Sequence, residues 1–199
     1  MTKILFYVPN LIGYARLLLL AISCVYFDDT IPFLYLYSIS IILDGFDGYF
    51  ARKLNQISAF GAWLDVVIDN LGRTMLWCFL HLKIGFVFIS IEWLAFVCLH
   101  TAGPLWKTSF SNAPFWVAAV MAKGFKTLPG ILAIAGLNVL PLWLYKFQYN
   151  IKLPFNDILD TVIFPSLVIG RLLCMAVELW CIQAHIGHMI KTEEDAKKK

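Results

Sequence analysis

The chain has 199 residues, 60% of them hydrophobic and 15% charged, with a formal net charge of +3. A soluble domain carries about 25% charged residues, so these values and a mean hydropathy of +0.75 exclude an ordinary water-soluble fold and place most of the chain in lipid. The small positive charge fits a basic membrane face and argues against nucleic-acid binding.

A membrane-spanning helix needs about 20 mainly apolar residues, and the pattern predicts an all-α bundle of six such helices. The first is expected at about 9–27, stopping at Asp28-Asp29. Its apolar run is interrupted by Pro9, Asn10 and Arg16, and no small-residue cleavage site precedes the first polar break. It is therefore read as an uncleaved span rather than a signal peptide. The second starts near Ile31-Pro32, where proline suits a first turn, and runs to about Leu54. The third covers about 59–80, and the fourth about 84–103, ending before Gly103-Pro104. The stretch 113–122 is apolar but too short to span, so it is an interfacial helix or the start of the fifth. The fifth lies within 125–145, with Pro129 and Pro141 expected to make it irregular. The sixth covers 163–188 with Pro165 in its first turn, followed by a short cytosolic tail at about 189–199.

Nothing divides the chain. There is no Gly/Ser/Pro-rich linker and no internal repeat, so residues 1–199 are read as one membrane domain. Cys24, Cys78, Cys98, Cys174 and Cys181 all lie in apolar runs without a CxxC pair, and are expected to be free thiols acting as small hydrophobes. With both termini on one side, that side holds Lys3, Arg52, Lys53, Lys107, Lys123, Lys126, Lys191 and the terminal lysines. The other side holds Lys83, Lys146 and Lys152 among four aspartates. The positive-inside rule then places both termini in the cytosol.

The chemistry is concentrated in residues 43–70, LDGFDGYFARKLNQISAFGAWLDVVIDN. A carboxylate at a helix centre costs about 2.5–3.5 kcal/mol on insertion scales, so intramembrane acids are functional by default. Asp44 and Asp47 are spaced i, i+3, and Asp65 and Asp69 i, i+4, so each pair shares a helix face. Four carboxylates converging with few cations between them either stay protonated or bind a hard cation. Mg²⁺ takes oxygen ligands and keeps substrate phosphates in its shell, and two such ions can clamp a diphosphate and activate a hydroxyl. Gly48, Ala51 and Gly61 fall on the same faces and allow a ligand to come close. Arg52 is placed to reach a phosphate oxygen.

These residues resemble the fingerprint of the CDP-alcohol phosphatidyltransferases, Asp-x2-Asp-Gly-x2-Ala-Arg, eight residues, Gly-x3-Asp-x3-Asp. Asp44, Asp47, Gly48, Ala51, Arg52, Gly61, Asp65 and Asp69 meet every spacing. The resemblance implies six spans, a homodimer, and formation of a phosphodiester from a CDP-linked lipid and an alcohol with release of CMP. It implies that Asp44, Asp47 and Asp65 hold Mg²⁺ or Mn²⁺, two ions in all. Asp69 would be the general base, also touching a metal. Gly48, Ala51, Arg52 and Gly61 would line the CDP-lipid site. The opening segment 6–19, with Pro9, Asn10, Ile12 and Arg16, is most similar to members of the endoplasmic reticulum that join CDP-diacylglycerol to myo-inositol.

Beyond residue 70 the chain departs from those members. Asn70 stands where they carry arginine, and Ser111-Asn112-Ala113-Pro114 and Lys123-Gly124-Phe125-Lys126 replace an arginine-containing acceptor region. Lys123, Lys126 and Arg73 are the candidate acceptor or phosphate contacts. A different acceptor, glycerol 3-phosphate or an amino alcohol, is the alternative, and a non-enzymatic cation-binding or transport protein the third reading. Arg16 is read either as snorkelling to the interface or as facing substrate, and Asn10, six residues before it, is a second candidate to face substrate. Arg171 and Glu178 are expected to form ion pairs with another helix, and Glu92 has no assigned partner.

Overall fold

The computed structural model describes residues 2–102, 113–154 and 156–198. Every regular element among them is helical: α1 (Thr2–Leu5), α2 (Val8–Val25), α3 (Thr30–Lys53), α4 (Ala59–Leu80), α5 (Leu82–Ala102), α6 (Phe115–Phe125), α7 (Leu128–Gln148) and α8 (Asn156–Lys197). Lys107, Gly103-Pro104 and Ser111-Asn112 lie outside the described residues. The chain folds as two compact units, Met1–Met75 and Leu76–Lys199.

In the first unit, local chemistry sets the helix starts. Pro9 sits in the first turn of α2, where its missing N–H costs nothing. The Val8 N–H donates to Gln56 Oε1 at 2.9 Å, which ties the α3–α4 turn to the start of α2. Ser58 opens α4, its Oγ accepting from the Gly61 N–H at 3.0 Å. Between them Asn55 takes a left-handed φ of 55°, which asparagine tolerates better than most residues. Phe33, Tyr37 and Ser40 form the buried stripe of α3, at the i, i+4, i+7 spacing of one helix face. Ile31, Tyr35, Ile39 and Ile42 are exposed, as suits a surface meant for lipid.

The second unit is held by small residues and one buried charge cluster. A Cβ on Gly136 of α7 would run into the backbone of Leu167, Gly170 and Arg171 on α8, and one on Gly170 into the carbonyl of Leu132. The two helices thus meet backbone to backbone, the close approach that glycine permits in membranes. Gly136→Leu should therefore force α7 and α8 apart and destabilise the protein by about 1–3 kcal/mol or more, read as a lower thermal midpoint in detergent. Beside this contact, Arg171 is fully buried and donates to Glu92 on α5 and to Glu178 on its own helix, each at 3.0 Å. Its guanidinium lies 4.5 Å from the Phe88 ring centroid. The expected ion pairing thus closes partly within α8, and Glu92 finds its partner. The cysteines are free, as expected.

Two expectations about the prolines change. Pro129 lies in the first turn of α7, where the Thr127 Oγ1 cap accepts from the Gly130 N–H at 3.2 Å. It starts the helix instead of distorting it, and only Pro141 is interior. Pro165 is interior to α8, because that helix starts at Asn156, well before the expected first turn. This extension is anchored where Asp160 accepts from Lys146 Nζ at 2.5 Å and Trp143 Nε1 at 2.9 Å. Of the two readings of 113–122, the structure bears out a separate helix: α6 starts at Phe115, after Pro114, and kinks at Ala122–Gly124.

Among the described residues four helices, at Val8–Val25, Leu82–His100, Leu128–Gln148 and Leu159–Lys197, are long and apolar enough to cross a membrane, so the chain is read as a multi-pass membrane protein. α3 and α4, with 24 and 22 residues, are also long enough at 1.5 Å per residue. Asp44 and Asp47 on α3, and Asp65 and Asp69 on α4, make them more polar.

Candidate active site

The last turns of α3 carry Asp44, Asp47, Gly48, Ala51 and Arg52, and the first half of α4 carries Gly61, Asp65 and Asp69. Asp44, Asp47 and Asp65 each offer a carboxylate oxygen within 4.8 Å of the others. The sequence pairs therefore face one another across the helix hairpin. Asp69 joins them through a residue of α2. Arg16 Nη1 lies 2.7 Å from both Asp47 Oδ2 and Asp65 Oδ1, while its Nη2 lies 2.8 Å from Asp44 Oδ1 and 2.7 Å from Asp69 Oδ1.

This decides between the two readings of Arg16. It does not snorkel: its side chain is 3% exposed and points into the cluster. It supplies a cation among the four carboxylates, where few were expected. A buried guanidinium beneath four acids is the compensation that a low-dielectric site demands. Asp44, Asp65 and Asp69 remain 40–44% exposed on the open side, and Asp47 is 13% exposed.

Next to the acids lies a cavity of about 270 Å³, lined in part by Asn10, Gly13, Asp47, Gly48, Ala51, Arg52, Gly61 and Asp65. All four residues expected to line the CDP-lipid site are in its wall. A Cβ on Gly61 would come 2.8 Å from Asn10 Oδ1 and 3.1 Å from Ser58 Oγ, so no side chain fits there. Asn10 is buried and held by donation from its Nδ2 to the Ile4 carbonyl at 2.6 Å. The Arg52 guanidinium folds back towards Gly48, 3.4 Å from where a Cβ would stand. Gly48→Leu should thus push Arg52 aside and fill the cavity while leaving α3 helical. The expected result is at least a tenfold loss in CDP-lipid affinity, about 1.4 kcal/mol, with an unchanged helical circular dichroism spectrum. Normal affinity in the folded variant would show that this face is not the pocket.

Arg73 is buried and donates to Asn70 Oδ1 at 2.5 Å. Its charge also acts on Asp69, so it belongs with the acidic face. Lys123 and Lys126 stand in the other unit, exposed at the kink that ends α6. There Lys123, Gly124 and Phe125 take left-handed φ values of 53°, 65° and 64°. Asn10, a candidate to face substrate, lies in the cavity wall, and so do Gln56, Ser58 and Gly13, which the sequence reading does not place in the site. Gln56 and Ser58 are signalled locally by their polar character between two apolar runs.

A helical membrane protein with an acidic centre and a glycine-walled cavity is suited to hard cations and a phosphorylated ligand. The CDP-alcohol phosphatidyltransferase family model matches residues 6–182, and the chain belongs to that family. Among curated proteins it is similar to the CDP-diacylglycerol–inositol 3-phosphatidyltransferase of Saccharomyces cerevisiae, with 46% identity over 39% of this chain and 36% of that protein. Similarity to the enzyme of that name in Rattus norvegicus is 50% over 34% of this chain and 32% of the relative. For CDP-diacylglycerol–inositol 3-phosphatidyltransferase 1 of Arabidopsis thaliana, identity is 32% over 56% of this chain and 53% of the relative. The chain thus spans about a third to a half of the length of these relatives. No solved structure matches it.

Proposed function

We propose that the chain transfers the phosphatidyl group of CDP-diacylglycerol to myo-inositol, giving phosphatidylinositol and CMP. The observation that carries this reading is the joining of the acidic cluster to a cavity walled by Gly48, Ala51, Arg52 and Gly61. The curated relatives named for inositol transfer support the choice of acceptor.

The all-oxygen donor set of Asp44, Asp47, Asp65 and Asp69 fits Mg²⁺ or Mn²⁺, and four carboxylates suit two ions. Bound there, such ions neutralise diphosphate charge and polarise the phosphoryl group. The chain's own residues do the rest. Gly48 and Gly61 leave room for the nucleotide, and Arg52 donates to a phosphate oxygen. Asp69 accepts the proton of the acceptor hydroxyl. The acceptor oxygen then forms a bond to the lipid-linked phosphorus as the bond to CMP breaks, and CMP leaves with the electron pair. The same reading takes α3 and α4 as the remaining two of six spans, both termini as cytosolic, the membrane as that of the endoplasmic reticulum, and the enzyme as a homodimer.

Arg73 is the candidate phosphate contact on the acidic face, and Lys123 and Lys126 are the candidate acceptor contacts. Lysine donates from a flexible stem and lacks the planar fork of arginine. That difference favours, as a second reading, the same chemistry with glycerol 3-phosphate or an amino alcohol as acceptor. One assay separates the two readings: purified protein receives CDP-diacylglycerol and a panel of labelled alcohols, and CMP release is measured. With inositol as substrate, Lys123→Ala and Lys126→Ala should raise its KM about tenfold, the value of one charged hydrogen bond, and that of CDP-diacylglycerol far less. CMP release with another alcohol and none with inositol would overturn inositol as acceptor.

A further inference from the structure

The proposed metal set explains the acids but not the arginine placed among them. Arg16 comes from a third helix, 28 to 53 residues away in sequence from the aspartates it touches. Two terminal nitrogens serve four carboxylates at 2.7–2.8 Å, and its buried Nε has no hydrogen-bond partner. The guanidinium is thus spent wholly on the acids. We propose that Arg16 is a resident counter-cation, which holds the four aspartates together in the absence of metal and competes with divalent ions for the same oxygens.

The physical argument is one of charge and space. Four ionised carboxylates in one hairpin repel strongly, and a single guanidinium leaves a net charge of three negatives. That is enough to attract divalent ions while keeping the helices together without them. Nη1 is shared by Asp47 and Asp65, two of the three acids whose oxygens converge. An ion holding the same pair at about 2.1 Å would stand against a like charge, so the guanidinium must give up those oxygens. Its positive charge, only a few ångströms away, weakens cation binding. Arg16 is accordingly a positioning residue that lowers metal affinity in return for an assembled site. This inference rests on the cation-binding reading above.

The test uses the full chain in detergent and Mn²⁺ as probe, with binding followed by the electron paramagnetic resonance signal of free Mn²⁺. Arg16→Met keeps much of the stem and removes the charge; Arg16→Lys keeps a charge that cannot bridge four acids. The Met variant should bind Mn²⁺ at least about tenfold more tightly than wild type. Its thermal midpoint in EDTA should fall, and Mn²⁺ should restore it by more than it raises that of wild type. The Lys variant should lie between the two. A Met variant that folds only with Mn²⁺ supports the proposal. Equal or weaker Mn²⁺ binding in the folded Met variant overturns it. If the Met variant folds in neither condition, the Lys variant decides: Mn²⁺ binding no tighter than wild type overturns the proposal. Wild-type protein that binds no Mn²⁺ would instead sink the cation-site reading, and this inference with it.

Discussion

Asp69→Asn should lower CMP release by about 100- to 10,000-fold, the usual contribution of a positioned general base, while CDP-diacylglycerol binding stays nearly unchanged. The amide has the shape of the carboxylate but cannot take a proton. Asp69 is the outlying acid: it is not one of the three whose oxygens converge within 4.8 Å, and it reaches them through Arg16 Nη2. Its side chain is 40% exposed, so an acceptor hydroxyl has access. In the variant, Arg16 keeps Asp44, Asp47 and Asp65 as partners, so the cluster should survive. Turnover and binding of labelled CDP-diacylglycerol are measured on one preparation. Undiminished turnover would remove Asp69 from the chemistry.

Asp44→Ala and Asp47→Ala should each lose metal binding and turnover together, by more than about 100-fold, since even residues behind the ligands of a metal site cost 10–100-fold. Each change takes one of three converging carboxylates from the set. Asp47 should show the larger structural effect. It is the most buried of the four acids and shares Arg16 Nη1 with Asp65. Mn²⁺ affinity and CMP release are the two readouts, and they should fall in parallel. Activity in either variant that persists in EDTA would show that the aspartates do not work through a metal.

Both predictions concern residues legible without coordinates, and the reason is local. An acid inside an apolar helix is costly enough to demand a purpose, and spacings of three and four place two such acids on one helix face whatever surrounds the helix. The Asp44 and Asp47 pair, the Asp65 and Asp69 pair, and the small residues one turn away follow from that rule alone. Helix positions followed from apolar length in the same way. Their ends were less legible: Pro129 and Pro165 each fit a first turn or a kink, and only the Thr127 cap and the Asp160 contacts distinguish these.

The chain's own sequence thus determined an all-helical membrane protein with a four-acid centre on one hairpin. Tertiary structure decided how that centre is balanced and how the rest is held. Arg16 in sequence is a cation in a span, equally suited to snorkelling or to a ligand. Rotation of α2 against α3 and α4, packed through Gly13 against Leu64, turns it onto all four acids. Likewise Glu92 and Arg171 lie 79 residues apart, and Gly136 meets Gly170 only because α7 and α8 approach backbone to backbone. Helix periodicity says which residues share a face. Which face meets which is decided by packing between helices distant in sequence.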